Sequence, residues 1–338
     1  PLTVLATARL NQPNIKPLDE SSIPEDSAKA PTFKQISTKD GDNICIGPDN
    51  KYIYYIDINN NLVKSSLSET SFEKSFQEEI ILNLGEKVLP TLSWNLTCTK
   101  AIVESSLGPE GGRSLDLLDI KTLDVTPIRE NAWGASWNKD YTGIIFIQTN
   151  NLKTNVLEIS NLTNMEDTTF LADISNIVAP EYVSVSPEED KFLIQGAVVA
   201  VIYGKKDGKF EEVKLIPWAM ETSWAPDGTM ISFRTKEETG YRLWVAGSAG
   251  DNKSEMASGN MSKTQWLSNN KLAYFTPTEG EAGANLWSID IPSNKSISLV
   301  DNSVIFWKPV ESFVVSAKRD LVVFRAQDMK IWAIHLPQ

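Results

Sequence analysis

Residues 223–233 read SWAPDGTMISF, and the fold turns on whether that stretch occurs once. It does not. A small residue, a large apolar one, a polar turn and an apolar β-rich run return at Cys45 (CIGPDNKYIYY), Ser93 (SWNLTCTKAIV), Ser136 (SWNKDYTGIIF), Ser184 (SVSPEEDKFLI), Gln265 (QWLSNNKLAYF) and Val314 (VVSAKRDLVVF). Successive units begin 39 to 49 residues apart. Self-similarity at such a period is the mark of a repeat architecture.

Each unit has a direct physical reading. The small and large residues close one strand. Pro, Asp, Asn and Gly then supply preset or positive φ for a tight turn, and the apolar run starts the next strand. A third strand follows every hairpin: NLVKSSL, SLDLLDI, TNVLEIS, AVVAVIY, YRLWVAG, NLWSIDI and KIWAIHL. A more polar fourth often comes after it, as in VTPIRE, EEVKLI and SISLV. Four antiparallel strands per period of about 45 residues specify a propeller blade, so the expected fold is all-β: a single propeller of seven four-stranded blades. The seventh unit runs out after its third strand. TFKQIS, residues 32–37, is expected to complete it and close the ring, leaving no open sheet edge. The only stretch of ambiguous type is SETSFEKSFQEEI, residues 68–80.

SWAPDGTMISF followed by YRLWVAG resembles the repeat of TolB-type propellers, whose units read Ser-Trp-Ser-Pro-Asp-Gly, an apolar strand and a strand that ends the blade. The likeness spans residues 32–338; only the unit from Ser223 matches the full motif, with GPDN and SPEED matching in part. The resemblance implies the propeller and says little of function, because the family includes periplasmic scaffolds, surface lipoproteins and peptidase accessory domains. TolB itself usually carries an N-terminal α/β domain that this sequence lacks, so the likeness is to the repeat and not to TolB.

Ahead of the propeller, residues 1–31 read as an N-terminal extension or tether. NQPNIKPLDESSIPEDSAKAP, residues 11–31, is polar and proline-rich without periodicity. Such a segment suits a protein outside the cytoplasm, in the periplasm or at the cell surface, tethered through an anchor removed from the N-terminus. Over 338 residues, 32 basic against 44 acidic side chains give a net charge of −12. That surface repels phosphate backbones and anionic lipid, disfavouring nucleic-acid and membrane-surface partners. No apolar run reaches the ~18 residues of a membrane span.

Catalytic signals are sparse. His335 is the only histidine; it sits in a strand-like stretch and reads as structural. Cys45 and Cys98 are too few for a disulfide framework or a zinc site, and they fall at different positions of adjacent units. They read as two ordinary thiols or one incidental bridge. No Gly-x-Ser-x-Gly elbow, phosphate loop or dinucleotide fingerprint occurs. Asp57–Asn61 (DINNN) begins like a calcium loop but lacks its glycine and distal glutamate, and reads as a turn. No cofactor or metal is expected.

Binding signals are positional. Trp94, Trp137, Trp224 and Trp266 recur at one repeat position and are expected to pack between blades. Trp133, Trp218 and Trp307 fall outside it, just before inner strands, where exposed rings could stack on sugars or grip a peptide. Four residues before the repeat's apolar position stand Asp42, Glu181 and Glu311, and Glu221 stands one further on. In a propeller these carboxylates would converge on one channel mouth with Trp133 and Tyr182, either to bind a cation or basic segment or as a solvated acidic rim. The expected site is therefore Asp42, Trp133, Glu181, Tyr182, Trp218, Glu221 and Glu311. The reading that follows is a non-enzymatic extracytoplasmic scaffold taking a protein or peptide at the mouth. The alternatives are a cell-surface carbohydrate-binding protein or carbohydrate-active enzyme, in which Glu181 and Glu311 could act as an acid/base pair, and a structural assembly subunit.

Overall fold

A computed structural model describes residues 33–67, 77–86, 88–107, 112–150, 153–277, 284–299, 310–316, 318, 320–326 and 330–336. The strands form seven four-stranded antiparallel sheets, the blades of a seven-bladed β-propeller. The inner strands, in ring order, are Gly41–Ile46, Val88–Trp94, Ala132–Trp137, Pro180–Val185, Ala219–Trp224, Gln265–Ser268 and Val310–Val315. Each carries the first two residues of the repeat unit identified in the sequence. Glu78–Asn83, at the end of the ambiguous stretch, is the outer strand of blade 1; residues 68–76 lie outside the described residues. So do residues 1–31, for which an extension or tether was expected, and Trp307.

Ring closure follows the sequence. Phe33–Gln35 pairs antiparallel with Ile331–His335, in register Lys34 to Ala333, and becomes the outer strand of blade 7. The N-terminal strand thus covers the edge that the third strand of that blade would otherwise leave open. Glu78 fastens the exit from this strand, accepting the Thr38 backbone N–H at 2.8 Å and the buried Tyr55 hydroxyl at 2.6 Å.

The second strand of each blade is the most apolar because neighbouring blades cover both its faces. In blade 3, Ile144 and Phe146 pack toward blade 2 while Ile145 and Ile147 pack toward blade 4. Alternation along a strand thereby feeds two cores from one run. Seven apolar clusters result, one in each seam between adjacent blades.

The repeat tryptophans occupy these seams, with a polar role as well. Each indole N–H donates to a carbonyl on the inner strand of the preceding blade: Trp94 to Asn43 at 2.8 Å, Trp137 to Ser93 at 2.9 Å, Trp224 to Ser184 at 3.1 Å and Trp266 to Ser223 at 3.4 Å. The turn after them is equally regular. Its sixth repeat position is left-handed in five units, at Asn50, Cys98, Tyr141, Glu189 and Gly228, with φ between 53° and 71°. Asn and Gly suit that conformation; the other three residues are held in it by their surroundings.

Of the two alternatives left open for the cysteines, the structure shows the bridge. Cys45 on the inner strand of blade 1 and Cys98 in the turn of blade 2 form a disulfide, with Cα atoms 6.0 Å apart. Their different repeat positions are what allow them to meet, since a turn of one blade reaches the inner strand of its neighbour. The expected turn at Asp57–Asn61 is present: Asp57 accepts the backbone N–H groups of Asn59 and Asn61, each at 2.9 Å, so its carboxylate is committed to the hairpin. His335 lies in the third strand of blade 7.

Candidate functional site at the channel mouth

Where the inner strands begin, six of the seven blades carry a β-bulge, while the shift of blade 6 lies at the turn end of its inner strand. Register shifts occur at Asp42/Cys45, Val88/Leu92, Trp133/Ser136, Pro180/Tyr182, Met220/Ser223, Trp266/Ser268 and Val310/Ser312. Asn43, Gly134 and Glu221 share one repeat position in these bulges and all have positive φ, from 52° to 60°. Bulges break the ladder and re-aim side chains, which here turns Glu181, Tyr182 and Glu221 toward the channel. Gly134 is required for a second reason: a Cβ there would lie 2.4 Å from Glu181 O. Its absence lets the inner strands of blades 3 and 4 approach closely.

Five blades, the second to the sixth, enclose a cavity of about 410 Å³ at this end of the channel. Its polar walls are Glu104, Arg113, Glu181, Tyr182, Gln195, Glu221 and Lys263. Of the seven expected site residues, the structure brings three together here: Glu181, Tyr182 and Glu221. Asp42 does not line the cavity; its carboxylate faces Arg325 at 3.1 Å and accepts the Ser312 hydroxyl at 3.2 Å. Trp133 is not an exposed mouth aromatic. It packs in the seam between blades 3 and 4 and donates its indole N–H to Pro180 O at 2.9 Å. Glu311 lies on the inner strand of blade 7, and its side chain is outside the described residues. Trp218 is 67% exposed on the connection from blade 4 to blade 5, beside the cavity.

One group of residues escaped the sequence reading. At the inner end of the second strand, immediately after the eleven-residue motif, stand Glu104, Gln195, Arg234 and Arg325. Each reaches the bulge or connection of the next blade. Buried Glu104 accepts Gly134 N–H at 3.0 Å and the Arg113 guanidinium at 2.8 Å. Gln195 donates to Ala219 O at 2.8 Å and accepts the Thr222 hydroxyl at 2.9 Å. Arg234 donates to Met261 O and Ser262 O at 2.7 and 2.8 Å and pairs with Glu221 in its own blade. Arg325 holds Asp42 of blade 1. The signal was legible: four apolar runs are followed by a polar residue at one repeat position, where the others carry Ile56, Ile147 and, in the unit from Gln265 whose turn is one residue shorter, Phe275.

The mouth is thus a mixed-charge surface, with cations holding three of its carboxylates. Glu181 is exposed and has no ion pair among the described residues. The Tyr182 hydroxyl donates to Thr222 O at 3.2 Å; burial, then Glu221 and Glu181, push its pKa well above the usual phenol value. Among the described residues no cluster of His, Cys, Asp or Glu could hold a metal ion.

No family model matches the chain, and no curated protein matches it in sequence. Solved structures do. An oligogalacturonate lyase in complex with manganese superimposes with a TM-score of 0.61 at 11% identity, over 91% of this chain and 97% of that one. The β-propeller domain of Myceliophteria thermophila Cps50 (Swd1) gives 0.61 at 8% identity, over 91% and 100%. TolB from Acinetobacter baumannii gives 0.48 at 13% identity, over 77% of this chain and 63% of that one. At these identities the likeness establishes the β-propeller fold alone.

Proposed function

We propose that this propeller is a binding protein that takes a peptide segment of a protein partner at the channel mouth. The observation that carries this reading is the cavity walled by five blades, with charges of both signs and the exposed Trp218 at its rim. A rigid concavity with a few convergent polar groups is the general form of a binding site. Mixed Glu, Arg and Lys walls match the alternating donors, acceptors and charges of a polypeptide. The disulfide between blades 1 and 2 supports a place outside the cytoplasm, where such bonds persist.

Site-directed photocrosslinking tests this. A crosslinking side chain at Lys263 or Ala197, on the cavity wall, should form adducts with a polypeptide partner in an extract of the source cells. One at Asp227, in the turn at the opposite end of the inner strands, should not. Adducts from both ends alike, or from neither, overturn the mouth as the binding face. The exposed Trp218 also supports a second reading, a stacking platform for glycans; binding on a glycan array that Trp218→Ala abolishes would favour it.

A further inference from the structure

At the rim of the cavity an apolar shelf runs along blade 4, from the connection that enters the blade to the one that leaves it. Val178 is 71% exposed, Trp218 67% and Val198 46%. Their backbones come together at the turn Gly196–Val199. The Trp218 backbone N–H donates to Val198 O at 2.7 Å, and a Cβ on Gly196 would stand 3.0 Å from Val178 O. Gly196 and Ala197 also line the cavity, so the shelf runs into the mouth without a break. Trp218 is held at φ +61°, a conformation rare for a bulky residue and costing on the order of 1–3 kcal/mol. Its exposed ring returns little of that through burial. Exposed apolar surface rimmed by polar groups marks an interaction site.

Charge selects the occupant. Glu104 is held by Arg113, Glu221 by Arg234 and Asp42 by Arg325. Glu181 alone of the four has no cation among the described residues. It lies three residues beyond Val178, on the inner strand of blade 4 and on the cavity wall. The free charge at the inner edge of the shelf is therefore negative, on a chain of net charge −12. Lys263, a cavity cation with no ion pair among the described residues, stands on the approach to blade 6.

We propose that Val178, Val198 and Trp218 receive an apolar or aromatic side chain of a peptide segment whose neighbouring lysine or arginine pairs with Glu181. The proposal rests on the mouth being a peptide site and adds the chemistry it recognises. A displayed library of random dodecapeptides, selected on the immobilised full chain, tests it. Enriched peptides should carry Phe, Trp or Leu beside Lys or Arg. Trp218→Ala should weaken the best synthetic peptide at least ~30-fold, as for a central aromatic anchor. Glu181→Lys should weaken it about tenfold and reverse the preference toward the same peptide with Glu in place of its basic residue. Both residues are exposed, so both variants should melt with the wild type. Enriched peptides that bind both variants as well as wild type, but lose affinity on Lys263→Glu, overturn the shelf and leave the mouth as the site. Failure to enrich any peptide overturns this proposal together with the peptide reading on which it rests.

Discussion

Arg234 shows how closely single residues at the mouth are committed. Its buried guanidinium satisfies two carbonyls of the next connection, neutralises Glu221 and lies 4.2 Å from the Tyr241 ring centre. Arg234→Met would leave the Glu221 carboxylate without its cation and two carbonyls without donors. The expected loss is about 3–5 kcal/mol in denaturant unfolding. Arg234→Met with Glu221→Gln should be less damaging than the sum of the two single changes, because the second removes the charge that the first strands. Gly134→Ala is expected to cost more than about 1 kcal/mol, since φ is +60° and the new Cβ would meet blade 4 backbone. Trp218→Ala, by contrast, should change stability by no more than about 0.5 kcal/mol, as an exposed surface substitution does.

Strands and seams hold the ring by different means around its circumference. The closure strand Phe33–Gln35 covers Ile331–His335. A variant lacking residues 33–35 should expose that edge, melt lower and self-associate, seen as scattering mass that rises with concentration. At the seam between blades 1 and 2 the position that carries Glu104 in blade 2 holds Ile56, and the disulfide crosses there instead. The Cys45→Ser, Cys98→Ser double variant should lose about 2–4 kcal/mol, read from its denaturation midpoint. An unchanged midpoint would show that the seam's apolar cluster suffices without the bond.

Across the whole molecule, the packing of tyrosines in the seams sets the response to alkali. Burial pushes the hydroxyls of Tyr55, Tyr141, Tyr182, Tyr203 and Tyr274 above their ordinary pKa, Tyr203 to about 12. An unfolded chain releases these protons near pH 10, before the folded one does. The unfolded state therefore binds fewer protons above pH 10, and stability declines as pH rises through the folded-state values. Phenolate absorbance at 295 nm should rise together with loss of the β circular-dichroism signal, in one cooperative step above pH 10. Smooth tyrosine titration with the fold intact would contradict the burial of these rings.

The blade count, the four-strand period, the closure by residues 32–37 and the seam role of the repeat tryptophans were all written along the chain. They depend on local turn chemistry and strand alternation, which repeat and so reinforce one another seven times. Distances between blades are not written there. Asp42, Glu181 and Glu311 share one repeat position and Glu221 stands one further on, yet the pairing of Asp42, Glu181 and Glu221 depends on the side chain facing each across a seam or a strand pair: Arg325 for Asp42, Arg234 for Glu221 and none among the described residues for Glu181. Trp133 and Trp218 look alike as non-repeat tryptophans, but a carbonyl of blade 4 captures one, while a left-handed backbone at the rim presents the other. Cys45 and Cys98 seemed mismatched until the turn of one blade met the inner strand of the next. Local sequence specifies a blade because its interactions lie within some 45 residues; the mouth is made where blades meet, and those contacts exist only once the ring has closed.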